Sequence, residues 1–404
     1  MNSFKVKKIN QNQTFTIVNV WSYKVRVAVC SFSFSGVKIL GYGEKRQSRL
    51  DIINNEINNL AWLCETIKEA ILKAEFKAWE KTKKIVINPF FSNTFYYSKT
   101  ISYKNSDYLT ELWNKDIFKI IWNIEDISMS SISKEIEKKY WLEKEELNLI
   151  LSNISSIFID WEKIQSLYWE SWEDIRIKIL NTFVPKNNYE MIENISMYLG
   201  KEILKIIPEE YAIIKLGNKD KEEVFIDIWN SSTSISIKNS DNSLLWAIRL
   251  DIWIWDLVKD ISKNDNRGRS EIIKKLDRDD LFKEEKKNFL IYFSDILMEW
   301  LKEILWWGIC PENFILVWGW ASNFFLKDYL SQINFNIYWV KMIWRINFIS
   351  ASIEEIRKIS SVEEILKISN INIISQIITT KNFLSSENDI MEKALQQSTE
   401  KFLK

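Results

Sequence analysis

The stretch at residues 224–237, VFIDIWNSSTSISI, constrains this chain more than any other. An apolar run (Val224, Phe225, Ile226) delivers Asp227, a small polar turn follows at Asn230-Ser231-Ser232-Thr233, and Ile235-Ser236-Ile237 then alternates. Apolar run, tight turn and alternating run predict a β-hairpin. A turn of Ser and Thr offers backbone N–H groups and hydroxyls, which are the donors that hold phosphate oxygens. An Asp closing the incoming strand is placed to hold a water of a Mg²⁺ ion riding on those phosphates. A surface hairpin with a polar tip satisfies the same pattern. Trp229 stands where a turn that hugs phosphate wants no side chain.

That tryptophan has company. The chain carries 20 Trp and only 8 Gly in 404 residues. Together they make up about 7% of the chain, the share that glycine usually takes alone. Many stand in glycine contexts: Val317-Trp318-Gly319-Trp320-Ala321, Leu305-Trp306-Trp307-Gly308 and Ile252-Trp253-Ile254-Trp255-Asp256. Glycine serves such places because it reaches φ > 0 and lets backbone approach a ligand. An indole buries roughly 150–250 Å² and does neither. Some bacteria decode UGA as glycine, and a table that decodes it as tryptophan writes this sequence. Many of the tryptophans are therefore read here as glycines of the living protein, with a truly Trp-rich chain as the alternative.

The length allows two or more domains and a sizeable core. Lys+Arg and Asp+Glu balance at 55 each, so no global charge draws the chain to nucleic acid. Histidine is absent, which excludes histidine-based triads and histidine-ligated metals. Cys30, Cys64 and Cys310 are odd in number and far apart, as free thiols of a reducing cytoplasm are. The amino terminus lacks the apolar core of a signal peptide. No run reaches the ~18 apolar residues of a membrane span; the best, 289–310, is cut by Asp295, Glu299, Lys302 and Glu303. The expectation is a soluble cytoplasmic protein.

In chain order, strands are expected at 14–20, 24–32 and 37–42, so that Asn19 to Lys24 forms a hairpin tip like the one at Asp227. A helical stretch follows at 52–78, with Ile53, Ile57, Leu60, Cys64, Ile67, Ile71 and Leu72 on one face. A strand at 84–88 ends at Pro89. Residues 91–103 alternate aromatic and polar, 109–122 and 132–151 read as helical, and 156–159 as a strand, together an inserted α+β module. A strand at 175–183 and a helix at 189–199 follow, then the central hairpin and a third strand at 243–250. Residues 256–261 and most of 269–303 read as helix, 314–317 as a buried strand, and 384–388 as a linker. Residues 389–404 form a candidate amphipathic helix with Ile390, Met391, Ala394, Leu395, Phe402 and Leu403 on one side.

Two strand–turn–strand units and a glycine-type turn near 318 resemble the actin-like ATPase superfamily. With Trp read as Gly, the central hairpin is similar to its second phosphate motif, and FILVWGWASNFFLKDYL to its adenosine-side loop. Within it the chain resembles the FtsA family of cell-division proteins, on four stretches. These are NVWSYKVRVAV; Leu40-Gly41-Tyr42-Gly43-Glu44 with Ser48, Asp51 and Ile52; Asp160-Trp161-Glu162-Lys163-Ile164 through Trp172; and Arg249 to Asp256 with Asp260 and Ile261. The resemblance covers about residues 14–330. The PilM type of pilus-assembly scaffold shares the hairpins and is expected to lack the inserted module, so it ranks second.

The resemblance implies an α/β, actin-like (ribonuclease H-like) two-lobed fold. The first lobe would take 1–84 and 174–208, the inserted subdomain 85–173, the second lobe 209–262 and 311–383, its helical subdomain 263–310, and a linker and tail 384–404. It implies ATP with Mg²⁺: Asn19, Trp21, Ser22 and Lys24 at the first phosphate loop, and Trp229, Asn230, Ser231, Ser232 and Thr233 at the second. Asp227 would organise the metal through water, and Trp318, Gly319 and Trp320 would pass beside sugar and base. Asn19 and Ser234 stand where the family has acids, which removes charge that would hold Mg²⁺ and position water. ATP binding with at most weak hydrolysis is the expectation. Implied partners are a second copy in a filament and the FtsZ C-terminal peptide, paired through Arg267, Arg269, Lys274 and Lys275. The last helix implies peripheral contact with the inner face of the cell membrane at the division site, although its three lysines are few and a capping role fits it as well.

Overall fold

The computed structural model describes residues 13–33, 36–48, 52–53, 56–91, 93–104, 114–164, 174–218, 220–228, 232–250, 254–264, 271–272, 275–276, 281–304, 311–317, 347–350, 370–386, 391 and 393–395. The chain starts with an antiparallel meander, β1 (Gln13–Val20), β2 (Lys24–Ser33) and β3 (Gly36–Arg46). Two-residue strands β4 (Ile52–Ile53) and β5 (Glu56–Ile57) lead to α1 (Leu60–Ala78), and β6 (Lys84–Ile87) returns parallel to β1. β7 (Phe95–Lys104), α2 (Asn114–Tyr140), β8 (Leu147–Ile159), β9 (Glu162–Ile164) and β10 (Asp174–Pro185) then build a separate sheet in the order β7-β10-β8-β9. α3 (Lys186–Leu199) and β11 (Glu202–Ile206) complete the first sheet, β11-β6-β1-β2-β3.

The second half repeats this plan. After α4 (Glu209–Ile213) come β12 (Glu223–Ile228), β13 (Thr233–Lys238) and β14 (Leu244–Leu250), another antiparallel meander. α5 (Ile254–Asn264) and α6 (Lys283–Ile304) precede β15 (Asn313–Val317) and β16 (Asn347–Ser350), which add in parallel. The second sheet therefore runs β14-β13-β12-β15-β16, the same order and directions as the first. Each sheet is followed by a connector, α4 after the first and α7 (Ile371–Ser386) after the second. The central strands β1 and β12 are flanked on both edges and covered on both faces. Their sequences are accordingly near-continuous apolar runs rather than alternating ones.

One apolar core joins the halves: Phe15, Ile17 and Ala28 of the first sheet meet Phe225, Ile315 and Val317 of the second, with Tyr211 of α4 and Ile374 of α7 between them. A second core lies under α1, where helix backbone rests directly on β3. A Cβ at Gly43 would overlap the Ala70 carbonyl and come within 2.7 Å of the Ala74 nitrogen; one at Gly41 would come within 2.6 Å of the Ala78 nitrogen. Cys30 and Cys64 are free thiols, and burial, followed by the charge of Glu65, pushes the Cys64 thiol up to about 11. Among the described residues no helix is long and apolar enough to cross a membrane.

Several elements differ from the sequence expectation. The helix expected from 52 starts at Leu60, because Asn59 caps it by accepting the Trp62 N–H at 3.1 Å, and Leu72 is exposed. Residues 147–151, expected as helix, begin the long strand β8, whose edge pairs with β10 from Leu147 onward. β6 pairs into the first sheet and β10 into the sheet β7-β10-β8-β9. Residues 384–386, expected in a linker, end α7, because Leu384 is buried in the shared core. Met391, Ala394 and Leu395 pack into the core of the inserted sheet, and the Ala394 carbonyl accepts the Trp122 indole N–H at 3.3 Å. The expected helix at 321–331 and the cations Arg267, Arg269 and Lys274 lie outside the described residues.

Candidate functional site

Equal register makes the strand ends that flank the two hairpin turns equivalent. In the first, Val20 faces Val25 across the turn; in the second, Ile228 faces Thr233, with a four-residue connection in each. Asn19 therefore occupies in β1 the place of Asp227 in β12, and their cross-strand partners are Arg26 and Ser234. Both are the penultimate residue of a central strand, at its C-terminal end, which is where an open α/β sheet presents backbone to a ligand.

The first tip is held by Asn88, just after β6. Its Oδ1 accepts the Val20 N–H at 2.7 Å and its Nδ2 donates to the Val20 carbonyl at 3.1 Å. The turn closes with the Trp21 N–H on the Lys24 carbonyl at 3.2 Å, and Gln47 Nε2 donates to the Trp21 carbonyl at 2.5 Å. The Trp21 indole folds inward and donates to Asn19 Oδ1 at 2.6 Å. Asn19 is fully buried, and among the described residues its Nδ2 has no hydrogen-bond acceptor. Ser22 lies in the bend, half-buried. Lys24 reaches Glu44 Oε1 at 2.8 Å, and Glu44 Oε2 accepts from the Tyr42 hydroxyl at 2.9 Å. Burial pushes the Glu44 carboxyl up, but the bonds from Lys24 and Tyr42 and the charges of Lys24 and Arg26 outweigh it. The net shift is below the ordinary carboxylate range.

In the second tip Asp227, Ser232 and Thr233 are all buried. Asp227 Oδ2 accepts from Asn372 Nδ2 at 2.9 Å, while the side chain of Asn370, two residues earlier, lies 3.1 Å from the Tyr42 hydroxyl. The start of α7 thus bonds the second tip directly and meets Tyr42 of β3, whose neighbour Glu44 holds Lys24 of the first. Glu209, opening α4, is another buried carboxyl here; burial and then the charges of Asp227 and Glu210 raise it well above the usual range. Arg26 faces the same centre. Burial lowers its pKa, and Tyr42, Glu44, Glu209 and Asp227 oppose that shift. Next door, Arg249 of β14 holds Glu210 Oε1 through Nε (3.0 Å) and Nη2 (2.5 Å) and the Phe91 carbonyl through Nη1 (2.9 Å), and Tyr96 donates to Glu210 Oε2 at 2.6 Å.

The structure therefore places Asn19, Trp21 and Lys24 at the end of one hairpin and Asp227, Ser232 and Thr233 at the corresponding end of the other, with Arg26, Glu209 and Asn372 near Asp227. Trp229, Asn230, Ser231, Trp318, Gly319 and Trp320 lie outside the described residues. Arg26, Glu209 and Asn372 were missed by sequence reasoning. Glu209 was signalled only by an acidic pair after Pro208, and Arg26 only as one more cation in a strand. The residues present fit a nucleotide: the unbonded Asn19 amide is a donor for an anionic oxygen, and Arg26 and Lys24 supply positive charge. Among the described residues no cluster of three or more acids, Cys or His could grip a bare metal. A Mg²⁺ ion fits as a phosphate-borne ion, with Asp227 holding its water and the ion supplying charge neutralisation.

No protein-family model matches the sequence, and no curated protein matches it. Among solved structures, the chain is similar to one from the PilM-PilN type IV pilus biogenesis complex, with a TM-score of 0.60 at 12% identity over 96% of this chain and 98% of that one. It also aligns with ethanolamine utilization protein EutJ from Carboxydothermus hydrogenoformans (TM-score 0.44, 9% identity, 83% and 85% covered). A protein with actin-like ATPase fold from Bacteroides thetaiotaomicron aligns at 0.39, 9% identity, with 94% and 99% covered. The first alignment spans almost all of both chains, so the inserted subdomain is no ground for separating this chain from the PilM type. Two sister sheets of one order, joined through paired connectors at a buried polar centre, give this chain the actin-like ATPase fold.

Proposed function

We propose that the chain is an ATP-binding, actin-like scaffold in which the nucleotide works as a conformational ligand between the lobes, with hydrolysis weak or absent. The observation that carries this reading is the buried polar centre between the sheets, where Asn372 of one connector bonds Asp227 and the charges of Arg26, Glu209 and Asp227 act on one another. Phosphates held there bias the relation of the two sheets, because Asn372 ties Asp227 to one connector and Arg249 ties Glu210 to the other lobe. An amide at Asn19 and a hydroxyl at Ser234, in place of acids, support binding over efficient turnover.

In finer terms the reading is a cell-division adaptor of the FtsA type. It polymerises, takes the FtsZ C-terminal peptide and tethers FtsZ filaments to the inner face of the membrane. The four motif stretches support it. Membrane contact would need residues 389–404 to release Met391, Ala394 and Leu395 from the inserted core. A pilus-assembly scaffold of the PilM type is supported about equally well, by the near-complete alignment with the pilus complex. A catalytic ATPase or kinase of the same fold is the third reading.

The test measures ATP affinity with and without Mg²⁺, ATP turnover, filament formation, and binding of an FtsZ C-terminal peptide beside a short cytoplasmic peptide of an inner-membrane pilus partner. Arg26→Ala is expected to weaken ATP binding at least tenfold. Rapid substrate-dependent turnover would end the scaffold reading, and the peptide that binds decides between its two forms.

A further inference from the structure

Three tryptophans hold a backbone that side chains avoid. Trp79 (φ 54°, ψ 27°) follows α1, Trp141 (φ 58°) follows α2, and Trp161 (φ 80°), with Asp160 (φ 47°), forms the turn from β8 to β9. In this left-handed region Cβ crowds the neighbouring carbonyl, and glycine enters it freely. The lobe contains its own control. Gly200 ends α3 at φ 61°, ψ 35°, donating to the Met197 carbonyl at 3.1 Å while the Lys201 N–H reaches Ser196 at 3.1 Å. At the end of α1, Trp79 donates to Phe76 at 3.4 Å and the Glu80 N–H reaches Glu75 at 3.3 Å. One Schellman cap is thus built twice, with glycine in one copy and tryptophan in the other. Trp141 closes α2 with a single bond to the Glu137 carbonyl at 3.0 Å, the simpler left-handed cap. Asp160-Trp161 is a two-residue hairpin turn with φ > 0 at both positions, since Ile159 pairs with Glu162, and the favoured pair for that turn is Asp-Gly or Asn-Gly.

These indoles gain little burial in return. Trp79 and Trp141 are 89% exposed and Trp161 76%. Their contacts are a stack of Trp79 on Phe76 at 6.0 Å and the Arg176 guanidinium over Trp161 at 3.3 Å. Trp246 and Trp300 behave differently: they lie against each other at 6.3 Å and pack on the second-lobe core, where large rings are useful. We propose that the protein made in its own cell carries glycine at positions 79, 141 and 161, from UGA decoded as glycine, and tryptophan at 246 and 300, from UGG. The same decoding at position 21 removes the indole that occupies Asn19 Oδ1 and opens the first phosphate turn to an anion. That last step rests on the nucleotide reading above.

The test is peptide mass spectrometry of the protein from its own organism, read beside its coding DNA. UGA with glycine masses at 79, 141 and 161, and UGG with tryptophan masses at 246 and 300, is the expected result. Tryptophan masses at any two of the first three overturn the proposal. In recombinant protein, Trp79→Gly, Trp141→Gly and Trp161→Gly should each raise the melting midpoint and Trp246→Gly should lower it. Falling midpoints at all three caps and turns overturn the backbone argument. Trp21→Gly is titrated separately with a fluorescent ATP analogue. Glycine masses without nucleotide binding would leave the decoding standing and remove the nucleotide reading.

Discussion

Replacing Arg249 with alanine should cost this protein about 3–5 kcal/mol, because the change leaves an uncompensated charge in a place water does not reach. The Arg249 and Glu210 side chains are 5% and 2% exposed. Burial pulls the Arg249 pKa down, but the Glu210 carboxylate, the Tyr96 phenol and Glu209 raise it above its ordinary value, so the guanidinium is charged at every working pH. Its removal deprives Glu210 Oε1 of two bonds and the Phe91 carbonyl of one. Surface pairs are worth about 0–1 kcal/mol, so burial decides the size. The assay is urea unfolding of Arg249→Ala, Glu210→Ala and the double variant. The double variant is expected to be more stable than the sum of the singles by about 0.5–3 kcal/mol, since removing both charges leaves neither stranded. Tyr96→Phe, which removes one hydrogen bond to Glu210, should cost about 1 kcal/mol. An Arg249→Ala loss under about 1 kcal/mol, or strict additivity, would refute the claim that this ion pair fastens β14 to the first connector.

Gly43→Ala should cost about 1–3 kcal/mol by overpacking α1 against β3, read as a lower melting midpoint. Lys238→Met should cost about 3–5 kcal/mol by stranding Glu223, since both side chains are fully buried, with Lys238 Nζ 3.4 Å from Glu223 Oε2 and 2.6 Å from the Asn218 and Lys221 carbonyls. The lowered pKa of Glu44 predicts a stability contribution that is present above the unfolded value of about 4.3 and lost as pH falls through the folded value. Stability profiles of Glu44→Gln should lack that acid limb, and Tyr42→Phe should shrink it.

The hairpin tips were legible because their signals are local: an apolar run, a polar turn, an alternating run, all within a dozen residues. Gly41 and Gly43, quoted as motif, proved to be the bed on which α1 lies. Residues 147–151 were misread because a charged stretch runs straight into LNLIL, and period alone does not separate a buried strand from a helix there. Pairing with β10 decided it, and that partner begins 27 positions later, at Asp174.

By itself the sequence determined the repeated strand–turn–strand units, the free thiols of Cys30 and Cys64, and the misfit of tryptophan in glycine contexts. Tertiary structure alone decided that Arg26, Glu209 and Asn372 share a centre with Asp227, although Asn372 lies 145 positions from it. Local pattern specifies which faces of a strand or helix are apolar, and so which elements form. Which polar ends meet follows from how two sheets stack on one shared core, and that packing is written in contacts between distant residues.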